Sequence, residues 1–314
     1  MTTEIYMYVG FLLAAYAVVA NDAIQTLGTF LASNARRPWW ILWLYASSIL
    51  VAVFLYGYFM NDGDVAYGRL SKIPEIETHA WWMIIPPLVI LGLTRLGIPV
   101  STTFLVLTAF NPRGLTSMLT KSLLGYAVAA VVGYLVYKFV TRVVERRFIE
   151  TSSRPPAPYW VVLQWLSTAF LWSQWLVQDL ANIVVYLPRS LGPEMLVMVI
   201  GVMVVLHAWI FYRRGGEIQR IVTTKINTQD IRSATIIDLI YGLILFFFKE
   251  LSNVPMSTTW VFLGLLAGRE FAVALDTHLR SNRETTMIVV KDAFKGFIGL
   301  AVSVAVAFLI QWVV

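Results

Sequence analysis

Residues 97–104 read GIPVSTTF, and residues 253–260 read NVPMSTTW. Both hold Pro-x-Ser-Thr-Thr, at 99–103 and 255–259, and both are set between strongly apolar segments. A proline fixes one backbone angle and lacks an N–H, so it breaks or begins a helix. Serine and threonine are preferred N-caps. An apolar run follows each motif at once, FLVLTAF in one case and WVFLGLLAG in the other. Each motif is therefore expected to start a half-helix inside a membrane, with free N–H groups, a positive dipole end and hydroxyls side by side. Such an end attracts anions. Irregular backbone at membrane depth is tolerated only where it lines a cavity or is buried in protein.

The membrane itself follows from composition. The chain has 314 residues, 58% of them hydrophobic and 13% charged, with a mean hydropathy of +0.71. A soluble domain carries about a quarter charged residues, so this chain lacks the polar surface of one. Apolar runs recur at 5–20, 39–60, 81–92, 123–140, 160–177, 195–211, 234–248 and 294–314. Several reach the roughly 20 residues that span a bilayer, and the shorter ones fit tilted, broken or re-entrant helices. A transmembrane barrel would show alternating ten-residue segments instead. Trp39, Trp40, Trp81, Trp82, Trp160 and Trp312 stand near the ends of runs, where aromatic belts form. The first run lacks the basic flank of a signal peptide and reads as a retained helix. There is no cysteine, hence no disulfide framework. The net charge of +6 falls in loops such as TRVVERRF and FYRRGGEIQR. It reads as an inner-face topology signal and not as a nucleic-acid surface.

The chain repeats. Asp179 in VQDLAN lies 157 residues after Asp22 in ANDAIQ. Pro255, Ser257, Thr258 and Thr259 each lie 156 after Pro99, Ser101, Thr102 and Thr103, as Arg269 does after Arg113. Within one half the aspartate precedes the proline by 77 residues, within the other by 76. Internal duplication of this kind marks transporter folds, whose site lies at the repeat interface. Residues 61–80 carry a net charge of −2 and the equivalent 213–232 carry +3. Opposite bias at equivalent loops places them on opposite sides of the membrane. The expected architecture is an all-α polytopic membrane protein built from two inverted-topology repeats, with broken or re-entrant half-helices meeting near the bilayer midplane. The first repeat spans 1–150, a Ser/Pro-rich linker 151–159, and the second repeat 160–314.

A carboxylate at membrane depth is expensive and by default marks an ion or substrate site. Asn21, Gln25 and Thr26 add amides and oxygens around Asp22; Gln178 and Asn182 do so around Asp179. In each half an amide follows the aspartate by three residues, which puts both on one helical face. Two anion-seeking helix ends with two cation-seeking carboxylates describe an anion/cation symporter. An anion channel is the second reading, although it would not need the carboxylates. A membrane enzyme is the third, without a nucleophile–base pair or metal constellation to support it. His79, His207 and His278 show no metal-ligand spacing and are assigned no site.

The paired motifs resemble those of the inorganic phosphate transporter (PiT) family, which also has sulfate-carrying relatives. That family carries a Gly-Ala-Asn-Asp-Val-Ala-Asn-type motif and a Pro-Val-Ser-Thr-Thr-His-type motif in each of two inverted repeats. The counterparts here are ANDAIQTLGT with GIPVSTTF, and VQDLANIVV with NVPMSTTW; GGEIQRIVTTKINTQDIRSA is similar to the family's second-half region. The resemblance covers about residues 15–125 and 170–275. It implies a cation-coupled phosphate symporter with substrate held by Asp22, Gln25, Ser101, Thr102, Thr103, Asp179, Asn182, Ser257, Thr258 and Thr259. Cation candidates are Asn21, Asp22, Thr26, Gln178 and Asp179. Gln25 and Gln178 stand where the family has Asn, and Phe104 and Trp260 where it has His. Histidine titrates near neutral pH and these aromatics do not, so sodium is expected in preference to protons. Phosphate at pH 7 carries protons that a carboxylate can accept, whereas sulfate carries none, so both aspartates favour phosphate. No cofactor is expected. Expected partners are phosphate or sulfate, the lipid bilayer and a second copy of the chain in a homodimer, with no nucleic acid. The expected location is a prokaryotic cytoplasmic membrane.

Overall fold

In the computed structural model, the described residues are 2–76, 78–111, 114–140, 142–225, 228–251, 257–277 and 281–313. Among them every regular element is helical. Seven helical stretches are long and apolar enough to cross a membrane: Glu4–Ser33, Trp39–Met60, Leu115–Phe139, Pro193–Tyr212, Ile231–Phe248, Thr258–Asp276 and Asn282–Ile310. A shorter apolar stretch covers Trp81–Arg95. Phe59, Phe139, Phe308, Leu309 and Trp312 are exposed on the outer surface, where lipid replaces water as solvent for apolar groups. The protein is an integral, multi-pass helical membrane protein.

The described elements fall on either side of the 151–158 segment. The first half has α1 (Thr2–Val18), a π-helical turn (Val19–Ala23), α2 (Ile24–Ser33) and α3 (Trp39–Met60). It continues with α4 (Ile85–Arg95), a π-helical stretch (Thr103–Leu107), α5 (Thr108–Phe110), α6 (Leu115–Leu135) and α7 (Arg142–Glu150). The second half has α8 (Tyr159–Asp179), α9 (Ala181–Val184), α10 (Pro193–Tyr212), α11 (Gln219–Thr223), α12 (Ile231–Leu251), α13 (Thr258–Thr277) and α14 (Asn282–Val313). α3 packs on α8 as α10 does on α1, α2 on α8 as α9 does on α1, α13 on α6 as the Thr103–Leu107 turn does on α14, and α3 meets α10.

Turn chemistry repeats with the elements. After α3 the Gly63 N–H donates to Tyr58 O at 2.9 Å; after α10 the Gly215 N–H donates to Ile210 O at 3.0 Å. This six-to-one bond satisfies a helix-terminal carbonyl. It needs a left-handed residue, and both glycines have φ +87° after a positive-φ neighbour, Asp62 or Arg214.

Two helix pairs show why small residues sit where they do. A Cβ added at Gly268 would lie 2.0 Å from Ala130 O, and one at Gly264 2.3 Å from Tyr126 O. Gly133 faces Leu265 O at 2.7 Å in the same sense. The Gly264-x-x-x-Gly268 spacing thus lets α13 lie backbone to backbone on α6, the small-residue packing that substitutes for a hydrophobic drive inside lipid.

The apolar runs coincide with helices in every case, and 39–60 matches α3 to the residue. Among the described residues one helix of membrane length escaped them. α13 carries Arg269 and Glu270, which break its hydropathy, yet both are buried at 0% and 1%. Arg269 Nη2 lies 2.7 Å from Glu145 Oε1, and its Nη1 lies 3.4 Å from Glu270 Oε1. The pairing lets a full-length helix stand where a half-helix was expected. In the first half the expectation of a short helix fits: α5 stops at Phe110, because Asn111 precedes Pro112 and is driven to φ −141°. The equivalent of Pro112 in the second half is Gly268, and the helix continues. Arg113, Pro255 and His278 lie outside the described residues.

Candidate functional site

Asp22 sits in the π-helical turn that interrupts the Glu4–Ser33 stretch. Such turns widen the backbone spiral locally and recur at functional positions. Asp179 is the last residue of α8, separated by Leu180 from the short helix α9. The two helices that begin with Ser-Thr-Thr bring their first turns to these interruptions. Ser101 Oγ accepts the Phe104 N–H at 3.2 Å, and Ser257 Oγ accepts the Trp260 N–H at 3.3 Å. Both serines therefore act as N-caps, bonding three residues on. Their hydroxyls are engaged in holding the helix start, and the threonines behind them point into the site.

The threonines interleave the halves. Thr102 Oγ1 donates to Asp22 Oδ2, and Thr258 Oγ1 donates to Asp179 Oδ2 at 2.7 Å, each within its own half. Thr103 Oγ1 donates across to Asp179 Oδ1 at 3.3 Å, and Thr259 Oγ1 across to Asp22 Oδ1 at 3.4 Å. Each carboxylate thus receives one hydroxyl from each half. The amides complete the sets. Gln25 Nε2 donates to Asp22 Oδ1 at 3.3 Å, and Asn182 Nδ2 to Asp179 Oδ1 at 2.8 Å, as the three-residue spacing predicts. Asn182 Nδ2 also reaches Thr102 Oγ1 at 2.9 Å and Thr103 Oγ1 at 3.2 Å. Asn21 Nδ2 donates to Asp22 Oδ1 at 2.8 Å and to Val100 O at 2.5 Å.

All of these residues are buried, at 4% exposure or less. The two carboxylates are joined through Asn182, whose Nδ2 meets both Asp179 Oδ1 and the Thr102 hydroxyl that bonds Asp22. Three buried carboxamide oxygens, Gln25 Oε1, Gln178 Oε1 and Asn182 Oδ1, receive no hydrogen bond among the described residues. A buried acceptor left bare is costly. Beside two carboxyl groups, such oxygens suit a hard cation, which carboxylate, carbonyl and hydroxyl oxygens bind.

Of the residues named from sequence, Asp22, Gln25, Thr102, Thr103, Asp179, Asn182, Thr258 and Thr259 form this one cluster. Ser101 and Ser257 serve it as caps. Thr26 bonds back to Asp22 O at 3.3 Å, and Gln178 Nε2 is held by Leu245 O at 2.9 Å. Phe104 and Trp260 are buried, Trp260 edge-on to Tyr126 and Phe297 at 5.7 and 5.1 Å between ring centres. His79 and His207 bond backbone carbonyls of Tyr186 and Met203, each at 2.7 Å. Sequence reasoning missed Tyr241, whose hydroxyl donates to Thr258 O at 3.0 Å, and Arg69, whose burial no local pattern announces.

Comparison with known proteins agrees with the fold. No family model matches the chain, and no curated protein matches it. A solved structure described as "The sodium-dependent phosphate transporter" is similar over 100% of both chains, with a TM-score of 0.64 and 16% sequence identity. The chain has the fold of a membrane transporter. At that identity the likeness speaks for the architecture, and the chemistry rests on the cluster just described.

Proposed function

We propose that this protein is a cation-coupled symporter of inorganic phosphate, of the PiT type, built as two inverted repeats around the Asp22–Asp179 cluster. The observation that carries the reading is the interleaving: four threonine hydroxyls at two helix starts, shared between two buried carboxylates, one from each half. Helix starts with hydroxyls are anion sites, and carboxylates with bare amide oxygens are cation sites.

The same hydroxyls link the two. The carboxylates hold the hydroxyls that an oxyanion would take, so anion and carboxylates compete for one donor set. A cation bound by Asp22 and Asp179 draws the carboxylates toward itself, removes their mutual repulsion and frees Thr102, Thr103, Thr258 and Thr259 for the anion. Phosphate then binds well only with its cation, which is the requirement of symport. The ligands are hard oxygens and no titrating imidazole stands at residues 104 or 260, which favours sodium. The known sodium-dependent phosphate transporter of the same fold fits this choice.

Uptake of radiolabelled phosphate and sulfate into proteoliposomes tests the reading. Phosphate uptake should require an inward sodium gradient and survive removal of the pH gradient. Equal uptake with choline in place of sodium would exclude sodium coupling, and preference for sulfate would reassign the anion. The inverted arrangement is tested separately. The chain has no cysteine, so single cysteines at exposed Ser71 and Arg220, in the loops of opposite charge, should label from opposite membrane faces.

A further inference from the structure

Arginines gather around a large cavity at one end of the helices. The cavity, of about 770 Å³, is bordered by the turn after α2, the segment between α7 and α8, and the start of α12. Arg36 and Arg37 come from the first of these and Arg154 from the second, with Ser152 and Ser153 beside it. Arg214 joins them from the loop after α10, its Nη2 donating to Arg37 O at 2.9 Å. Like charges brought to one cavity repel one another unless an anion joins them. Elsewhere arginines are matched by acids: Arg142 by Asp276 at 2.7 Å, Arg146 by Glu150 at 3.0 Å and Arg220 by Glu217 at 3.1 Å. The acid that lines the cavity, Asp230, is already held by Arg232, Nε to Oδ1 at 2.9 Å and Nη2 to Oδ2 at 2.6 Å. Among the described residues no ion pair reaches Arg36, Arg37, Arg154 or Arg214.

Arg37 is also fixed in place. Its Nε donates to Asn34 Oδ1 at 3.1 Å, and its guanidinium lies over the Trp165 ring, 5.5 Å from the ring centre. Its two terminal nitrogens make no hydrogen bond among the described residues. A phosphate group can take such a fork with two oxygens at once.

Size and depth narrow the ligand. Cavities of about 300–1,000 Å³ hold drug-sized molecules, so this one is far larger than inorganic phosphate requires. Its level is set by helix ends: α2 stops at Ser33, α3 starts at Trp39, α8 at Tyr159 and α12 at Ile231. Trp39, Trp40, Tyr159 and Trp160 stand in the first turns of α3 and α8, and such side chains sit at headgroup level. Further along the same two helices Leu44, Val162 and Leu166 are apolar and exposed. A basic cavity at headgroup level, with apolar strips on two helices that start beside it, matches the two parts of a phospholipid.

We propose that this cavity is a headgroup site for an anionic phospholipid, whose phosphate is held by Arg36, Arg37 and Arg154 and whose chains lie on α3 and α8. Basic pockets between membrane helices take such headgroups, and each arginine near an anionic surface adds to the attraction. The bound headgroup ties the turn after α2 to the segment before α8. The site is independent of which anion and cation the protein carries.

Native mass spectrometry of the purified chain with added phosphatidylglycerol or phosphatidylcholine tests it, with folding checked by gel filtration. The unaltered protein should retain phosphatidylglycerol about tenfold better than phosphatidylcholine. Arg36→Gln/Arg154→Gln, at two exposed positions, should lose that preference. Arg95→Gln/Arg283→Gln, which removes the same charge from exposed positions elsewhere, should keep it. Equal retention of both lipids by the unaltered protein overturns the proposal, and so does undiminished preference in Arg36→Gln/Arg154→Gln. Equal loss in both double variants reports net charge alone and also overturns it. Inorganic phosphate forms the second arm: displacement of phosphatidylglycerol by phosphate, where chloride at the same ionic strength displaces none, identifies a free-phosphate site and overturns the lipid. Should Arg36→Gln/Arg154→Gln fail to fold, Arg154→Gln alone decides, and undiminished preference there overturns the proposal.

Discussion

The two helices that begin with Ser-Thr-Thr carry the same chemistry on different supports. In the first half the helical segment runs only to Phe110, most of it π-helical, and stops where Asn111 meets Pro112. In the second half α13 is a regular helix of 20 residues, fixed to α6 by Gly264 and Gly268 and to Glu145 by the buried Arg269. Hydroxyl donors from both segments meet both carboxylates, while the supports beneath them differ. A short helix draws its stability from contacts and caps, since nucleation costs are spread over few residues; a long packed one holds itself. The duplicated site is therefore chemically even and mechanically uneven.

Chemical evenness predicts the largest effects. Asp22→Asn and Asp179→Asn should each cut phosphate uptake by about 100-fold or more, as loss of a buried charge costs about 3 kcal/mol or above. A variant that transports normally would show that its half contributes structure alone and would break the comparison. Mechanical unevenness predicts the next. Gly268→Leu places a side chain on the Ala130 carbonyl, 2.0 Å from the added Cβ. Overpacking of this kind costs about 1–3 kcal/mol, and more against backbone that cannot yield. Thermal unfolding in detergent should show a marked loss. Gly125→Ala on the same interface, where the added carbon lies 3.1 Å from a Val261 methyl, should be tolerated much better.

Finer tests compare the halves directly. Thr102→Val and Thr258→Val should each weaken phosphate binding by about tenfold, the worth of one hydrogen bond to a charged group, measured by phosphate titration at saturating sodium. Unequal losses would show that the anion leans toward one helix start. The smallest effects belong to the caps. Ser101→Ala and Ser257→Ala each remove an N-cap worth about 1 kcal/mol. The loss should appear as faster amide hydrogen exchange, more at residues 104–107 than at 260–266, because the short segment has less to fall back on. Equal exchange would show that the first helix is as firmly held as the second.

Much of this was legible in the chain. Apolar runs place the membrane helices, since a bilayer admits few alternatives to a satisfied backbone. The 156–157 residue offsets place Asp22 opposite Asp179 and pair the two Ser-Thr-Thr motifs. The three-residue amide spacing at Gln25 and Asn182 became hydrogen bonds as expected. Each of these rests on local chemistry or on periodicity, which the sequence carries directly.

Other features required the folded chain. Nothing near Arg269 says that it is paired with Glu145, 124 residues away, so only a half-helix was expected where α13 runs at full length. The apolar run 234–248 puts Asp238 at membrane depth, yet nothing near it names its partners until Thr29 and Thr168 close on it from α2 and α8. The crossing of Thr103 to Asp179 and Thr259 to Asp22 joins residues 76 and 237 positions apart. The sequence by itself determined where the apolar helices run, that the chain is a membrane protein, and which polar groups recur. The tertiary structure decided which of those groups share a charge. Partner choice depends on packing summed over many helices, and no single stretch of sequence holds that sum.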